Sequence, residues 1–186
     1  MNLPNKLTTF RIFLIPVFIL VLALPINWSR TFGHPTSWII AAIIFAVASL
    51  TDLLDGKIAR AHHLVTNFGK FADPLADKLL VMTALIFLTQ YQVVPAWMTV
   101  IIVIRELAIT GLRTLIVENN GTVFAAQMPG KIKTFTQMFA VIFLYCSNFG
   151  SSWPIGQILI YLAVIFTLYS GIDYFVQNRS VFSDGM

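Results

Sequence analysis

The stretch from Asp52 to Asp77 decides the interpretation of this chain, because it carries four aspartates on a fixed spacing. It runs Asp52-x-x-Asp55-Gly56-x-x-Ala59-Arg60, then eight residues, then Gly69-x-x-x-Asp73-x-x-x-Asp77. The first two aspartates are spaced i,i+3 and the last two i,i+4, so in helices each pair lies on one face. Carboxylates beside long apolar stretches are costly near a lipid bilayer unless something neutralises them. Two such faces brought together form an all-oxygen cage, which hard divalent cations prefer.

The composition indicates an integral membrane protein. Of the 186 residues, 58% are hydrophobic and 11% are charged, whereas soluble domains carry roughly a quarter charged residues. The length fits a single membrane-embedded domain, residues 1–186, with six spanning helices of about 20 residues each. The single cysteine, Cys146, excludes an intrachain disulfide. The net charge of +4 is scattered over short loops, so nucleic acid is not a predicted partner.

Six apolar segments predict an all-α fold with six transmembrane helices. The segments are 7–25, 36–55, 73–91, 95–117, 131–149 and 153–177. With the N-terminus in the cytoplasm, ten lysines and arginines lie on or near that side, Arg30 lies outside and Arg105 falls at membrane depth. Both termini, and the four aspartates, are therefore predicted to face the cytoplasm.

The aspartates have three interpretations. They could be structural, as helix caps and partners of nearby basic residues. They could line a pathway for protons or cations, but such a pathway predicts carboxylates spread through the membrane, and these cluster at one end. They could serve a metal-assisted transfer of a phosphate-linked group, in which cations clamp the phosphates and one carboxylate accepts a proton. The spacing favours the third interpretation.

The small residues within the motif fit that interpretation. Gly56 and Ala59 leave one helix face bare, so that a nucleotide or pyrophosphate can approach the backbone, although Gly56 could also be a helix C-cap. Gly69 permits the turn that returns the third helix to the second. Arg60 is placed to pair with a phosphate or with an aspartate.

The complete pattern resembles the signature of the CDP-alcohol phosphotransferase family, and all eight of its fixed positions are matched. The resemblance covers the whole chain. It implies an enzyme of the bacterial inner membrane, active on the cytoplasmic side, that transfers a phosphatidyl group from CDP-diacylglycerol to an alcohol and releases CMP. It also implies Mg²⁺ or Mn²⁺ as cofactor, contacts with membrane lipids and a homodimer.

The same resemblance suggests a role for each residue of the motif. The metal ligands would be Asp52, Asp55, Asp73 and Asp77, and Asp77 would also be the catalytic base for the acceptor hydroxyl. The nucleotide would be bound by Asp52, Gly56, Ala59, Arg60 and Thr66, the last because the family often has a hydroxyl residue near the cytosine.

Three further segments resemble the phosphatidylglycerophosphate synthase branch, whose acceptor is sn-glycerol 3-phosphate. They are residues 3–11, residues 105–113 with Arg105-Glu106 and Arg113, and residues 130–137 with Lys131, Lys133 and Gln137. An arginine at membrane depth is expensive unless it faces an anion. Arg105, Arg113 and Lys131 are therefore predicted to bind the acceptor phosphate.

Alternatives stay open for these basic residues and for the activity. Arg105 could pair with Glu106, and Lys131 and Lys133 could only mark topology. The acceptor could be inositol phosphate, serine or phosphatidylglycerol. A cation transporter is the alternative from another class, but the outer halves of the helices carry almost no polar residues.

Overall fold

The computed structural model describes residues 3–24, 30–31, 34–61, 67–118 and 128–178. Within these ranges the fold is helical, with six long helices as predicted. They are α1 (Leu3–Ala23), α2 (Thr36–Ala61), α3 (Asn67–Gln90), α4 (Ala96–Glu118), α5 (Met128–Tyr145) and α6 (Ile155–Gln177). A two-residue antiparallel pair, β1 (Arg30–Thr31) and β2 (His34–Pro35), precedes α2.

The second and third helices differ from the prediction at the ends that carry the motif. α2 continues six residues beyond position 55, to Ala61, and α3 begins at Asn67 rather than at Asp73. The prediction that the third helical segment begins at position 73 is therefore wrong. Glycine and proline lower helix propensity, but tertiary context overrides propensity. The motif aspartates consequently lie within two helices, not at their tips.

Apolar length supports membrane association for part of the bundle. Among the described residues, two segments are long and apolar enough to cross a membrane, Asn5–Ala23 and Ile155–Gln177. Thr36–Asp52 is a shorter apolar helix. The charged residues inside α3, α4 and α5 interrupt the apolar pattern of those helices, and they are the residues from which the candidate site is built.

An aromatic cluster ties α1, α2, α3 and α5 together at the end of α3 that lies farthest from Asp77. The ring of Tyr145 packs edge-on against Phe18 and Trp38, at centroid distances of 5.7 and 5.8 Å. Its hydroxyl donates to the Ala84 carbonyl at 2.8 Å, and the Tyr91 hydroxyl donates to the Leu22 carbonyl at the same distance. Buried Tyr hydroxyls need such partners, so these bonds fix the helices relative to one another.

The link between α5 and α6 is a tight left-handed turn. Ser147, Asn148 and Phe149 have φ angles of 50°, 54° and 56°, a conformation that Asn tolerates better than most residues. The Asn148 side chain accepts from the backbone N–H of Gly156 at 2.6 Å and donates to Gln157 at 3.1 Å. The turn therefore holds the start of α6 firmly against the end of α5.

Candidate active site

The structure places the motif on two helices that follow one another. Asp52, Asp55, Gly56, Ala59 and Arg60 all lie in α2, and Gly69, Asp73 and Asp77 all lie in α3. Thr66 lies outside the described residues. Of the candidate site residues within the motif, the structure describes the side chains of Asp52 and Asp77, whereas for the others it describes the helical backbone alone.

Asp52 forms an ion pair that the sequence did not reveal. Arg11 of α1 places Nη1 2.7 Å from Asp52 Oδ1. The Arg11 side chain is fully buried, whereas the Asp52 side chain is 33% exposed. Burying a guanidinium is costly unless a carboxylate compensates its charge, so Arg11 and Asp52 depend on each other. One face of Asp52 is held by protein and the other stays accessible.

Asp77 lies in a charged environment beside a small cavity. Its carboxylate interacts with the negative charges of Asp52 and Glu106 and with the positive charges of Arg11 and Lys133. The cavity, of about 40 Å³, lies between α3, α4 and α5. It is lined by Asp77, Lys78, Val81, Met82, Ile102, Glu106, Lys133, Thr134, Gln137 and Met138. A candidate base therefore shares a cavity with two lysines, Lys78 and Lys133.

Glu106 joins a basic residue of its own helix, α4, to a basic residue of α5. Its Oε1 accepts from Arg105 Nη1 at 3.0 Å and from Lys133 Nζ. Arg105 also donates through Nη2 to the Ser170 hydroxyl of α6 at 2.8 Å. On the other side of the cavity, Lys78 Nζ donates to the Thr110 hydroxyl. Arg105 is thus held by two partners, Glu106 and Ser170, whereas Glu106 divides its charge between Arg105 and Lys133.

The three residues predicted to bind the acceptor phosphate lie in different surroundings. Arg105 pairs with Glu106, as the alternative interpretation holds, and borders an apolar groove between α4 and α6. Arg113 lies over the ring of Tyr174, with its guanidinium carbon 5.5 Å from the ring centroid. Lys131 is exposed, whereas Lys133 is 5% exposed and lines the cavity. The α5 lysine that lines the cavity beside Asp77 is therefore Lys133, two residues after the predicted Lys131.

The composition of the site suits a hard cation, because Asp52 and Asp77 offer carboxylate oxygens alone. Within the described part of the chain, no three Asp, Glu, His or Cys side chains converge; the side chains of Asp55 and Asp73 lie outside it. The negative charge of Asp52 repels the Asp77 carboxylate, and the positive charge of Arg11, which pairs with Asp52, attracts it. The mutual repulsion of the two carboxylates is the electrostatic condition that a bound divalent cation relieves.

The sequence assigns no role to several polar residues of the site. They include Arg11 of the segment 3–11, Glu106 of the segment 105–113, and Lys133 and Gln137 of the segment 130–137. The available signal was spacing: Lys133 and Gln137 are four residues apart and hence share one face of α5. A Lys and a Gln on the face that packs inward are unusual enough to mark a site.

The comparisons with known proteins agree with the motif. A family model described as CDP-alcohol phosphatidyltransferase matches residues 1–169. A CDP-diacylglycerol–glycerol-3-phosphate 3-phosphatidyltransferase of Bacillus subtilis (strain 168) is 48% identical over 184 residues, covering 95% of each chain. Proteins of the same name from Rickettsia felis (strain ATCC VR-1525 / URRWXCal2) and Blochmanniella floridana are each 37% identical. The first match covers 97% of both chains and the second 96% of this chain and 91% of the relative. The chain belongs to the CDP-alcohol phosphatidyltransferase family.

Proposed function

We propose that this chain transfers a phosphatidyl group from CDP-diacylglycerol to sn-glycerol 3-phosphate, giving phosphatidylglycerophosphate and CMP. The names of its near-full-length relatives support both substrates. The single observation that carries the proposal is that Asp77 and Lys133 line one cavity. This arrangement puts a proton acceptor next to a cation, as an alcohol that bears its own phosphate requires.

In the proposed reaction, the acceptor's primary hydroxyl gives its proton to Asp77 while its oxygen bonds to the phosphorus that carries the diacylglycerol. The bond from that phosphorus to the bridging oxygen breaks, and CMP leaves. Attack and departure are in line, so positioning and charge stabilisation carry most of the catalysis. Arg11 contributes by holding Asp52 in place.

We assign the metal site to Asp52, Asp55, Asp73 and Asp77. Mg²⁺ or Mn²⁺ held there would neutralise the pyrophosphate of the lipid substrate. The described carboxylates, Asp52 and Asp77, provide the hard oxygen donors that such ions prefer.

We assign the nucleotide site to residues of α2 and of the segment that follows it. Its members are Asp52, Gly56, Ala59, Arg60 and Thr66. Gly56 and Ala59 are one helical turn apart and leave room on the helix surface for a flat base or a pyrophosphate. Arg60 would pair with a phosphate.

For the acceptor phosphate we retain Arg105, Arg113 and Lys131 and add Lys133. The support for Lys133 is its burial in the cavity wall, 5% exposed, beside Asp77. The three retained residues lie outside the residues that line the cavity, so their contribution would be to attract the anion and to guide its approach.

We further propose a single-domain, six-span protein of the bacterial inner membrane with both termini and the active site in the cytoplasm. The excess of basic residues on that side and the apolar spans support this orientation. A homodimer is the assembly that the family resemblance implies.

The test is an acceptor screen with purified protein in a mild detergent. With CDP-diacylglycerol, Mg²⁺ and sn-glycerol 3-phosphate, CMP should be released, and EDTA should abolish the release until Mg²⁺ or Mn²⁺ is restored. Serine, inositol phosphate and phosphatidylglycerol serve as competing acceptors. Release with one of these but not with sn-glycerol 3-phosphate would reject the proposed acceptor and retain the family.

A further inference from the structure

The Gln137 side chain is a buried amide that has no role in the proposed reaction. It is 3% exposed, and its Nε2 has no hydrogen-bond partner among the described residues. Leaving a buried amide donor unsatisfied costs about 1–3 kcal/mol. Such a group in a native protein calls for an explanation, and a ligand that accepts its hydrogen bond is one.

The position of Gln137 in the cavity indicates which ligand group it meets. Asp77, Glu106 and Lys133 form a charged layer of the wall, contributed by α3, α4 and α5. A second layer lies one helical turn away on each helix: Val81 follows Asp77, Ile102 precedes Glu106 on the antiparallel α4, and Gln137 follows Lys133. Gln137 is therefore the polar residue of an otherwise apolar layer.

A neutral amide and a lysine are suited to different parts of one acceptor. Lys133 carries the charge that matches a phosphate, and the carboxamide donates to a neutral oxygen such as a hydroxyl. Their positions on α5 are about 6 Å apart, four residues at a rise of roughly 1.5 Å each. A three-carbon alcohol phosphate is long enough to reach both. The small cavity admits the hydroxyl-bearing end of such a molecule, next to Asp77.

We propose that Gln137 donates a hydrogen bond to the secondary hydroxyl of the acceptor. The site thereby favours alcohols that carry a second hydroxyl next to the attacking one. This inference rests on the proposed function, in which the primary hydroxyl attacks and the secondary hydroxyl does not react. An acceptor without that hydroxyl leaves the Gln137 amide buried and unpaired, and sites built to bind a hydroxyl reject analogues that lack it.

The test compares sn-glycerol 3-phosphate with 3-hydroxypropyl phosphate, which keeps the primary hydroxyl and the phosphate but lacks the secondary hydroxyl. CMP release is measured at saturating CDP-diacylglycerol and Mg²⁺. The unmodified protein should favour sn-glycerol 3-phosphate at least about tenfold in kcat/KM, since one hydrogen bond to a buried amide is at stake. Equal use of the two acceptors by the unmodified protein overturns the inference without any variant.

The Gln137→Met variant keeps the length of the side chain and removes the amide. In this variant the kcat/KM ratio of sn-glycerol 3-phosphate to 3-hydroxypropyl phosphate should fall to about one. The variant should lose activity with sn-glycerol 3-phosphate and keep its activity with the analogue. The KM for CDP-diacylglycerol should stay unchanged. The matched control is Gln90→Met. Gln90 is exposed at the end of α3 that lies farthest from Asp77, so this variant should keep the full preference for sn-glycerol 3-phosphate.

The remaining outcomes are also decisive. If Gln137→Met still prefers sn-glycerol 3-phosphate, another group binds the secondary hydroxyl, and the inference is overturned. An equal loss with both acceptors, or a raised KM for the lipid, reveals a packing role and overturns it too. If the unmodified protein releases CMP with serine or inositol phosphate but with neither three-carbon acceptor, the proposed function itself has failed, which is a distinguishable result.

Binding without turnover gives an independent readout. In detergent and without lipid substrate, sn-glycerol 3-phosphate should raise the unfolding temperature of the unmodified protein more than 3-hydroxypropyl phosphate does, because tighter binding to the folded state stabilises it more. In Gln137→Met the two acceptors should give equal shifts. Unequal shifts in the variant contradict the inference.

Discussion

Arg11 Nη1 lies 2.7 Å from Asp52 Oδ1, so a fully buried arginine of the first helix holds the first aspartate of the motif. The N-terminal helix is thereby part of the site and more than a membrane anchor. Arg11 also attracts the Asp77 carboxylate, and it therefore moderates the repulsion between the acidic residues of α2 and α3.

Replacing Arg11 should damage both stability and activity. Arg11→Met leaves Asp52 without its cationic partner, and because Asp52 is 33% exposed the cost should lie below the roughly 3–5 kcal/mol of breaking a fully buried ion pair. We expect a lower unfolding temperature in detergent and at least about a tenfold loss of kcat/KM for CDP-diacylglycerol, measured by CMP release. Lys6→Met, at an exposed position of the same helix, should change neither quantity. Wild-type kinetics in Arg11→Met would show that Asp52 needs no such support.

Replacing Asp77 should separate binding from turnover. Asp77→Asn keeps the size of the side chain but removes the proton acceptor, and general-base catalysis typically contributes about 100-fold or more. CMP release should therefore fall at least about 100-fold, while protection against thermal unfolding by CMP and Mg²⁺ is largely retained. Asp173→Asn, on α6 where Asp173 bonds to Gln177, is the control. Retention of full turnover in Asp77→Asn would remove Asp77 as the base.

Glu106 and Lys133 should behave as a coupled pair. Glu106→Gln takes away the charge that Arg105 and Lys133 share, and Lys133→Met takes away the cation beside Asp77. Each should raise the KM for sn-glycerol 3-phosphate more than the KM for the lipid. Contacting charged residues are not additive, so the double variant should lose less than the sum of the two single losses. Strict additivity in this cycle would show that the two act independently.

Gly156 should tolerate no side chain. A methyl group there would come within 2.8 Å of Leu144 Cδ2 and 2.9 Å of Asn148 Oδ1, and the second atom already accepts the Gly156 N–H bond. Gly156→Ala should destabilise the protein by about 1–3 kcal/mol, the usual cost of overpacking. Gly111→Ala is the comparison, because no atom of the described residues lies within 4 Å of an added methyl group there and alanine favours a helix. Equal unfolding temperatures for the two variants would contradict the packing argument.

The sequence alone was sufficient for the family and for the helical class. The aspartate spacing needs no tertiary information, because positions three and four apart share a helical face in any helix. Six apolar segments gave six helices, although the ends near Asp55 and Asp73 were misplaced. Gly56 is a possible helix C-cap in the sequence and the third apolar segment starts at position 73, yet in the packed bundle α2 continues to Ala61 and α3 begins at Asn67.

Tertiary structure alone decided which polar residues meet at the site. Lys131 and Lys133 are nearly equivalent in sequence, yet their positions two residues apart on α5 differ by about 200° around the helix; Lys133 is buried and Lys131 is exposed. Arg11 and Asp52 are forty-one positions apart, and no spacing rule connects them. Periodicity determines which residues share a face, whereas the packing of one helix against another determines which faces meet. For that reason the sequence shows the acidic motif and the shared face of Lys133 and Gln137, and only the folded bundle shows that Arg11 pairs with Asp52 and that this face of α5 meets Asp77.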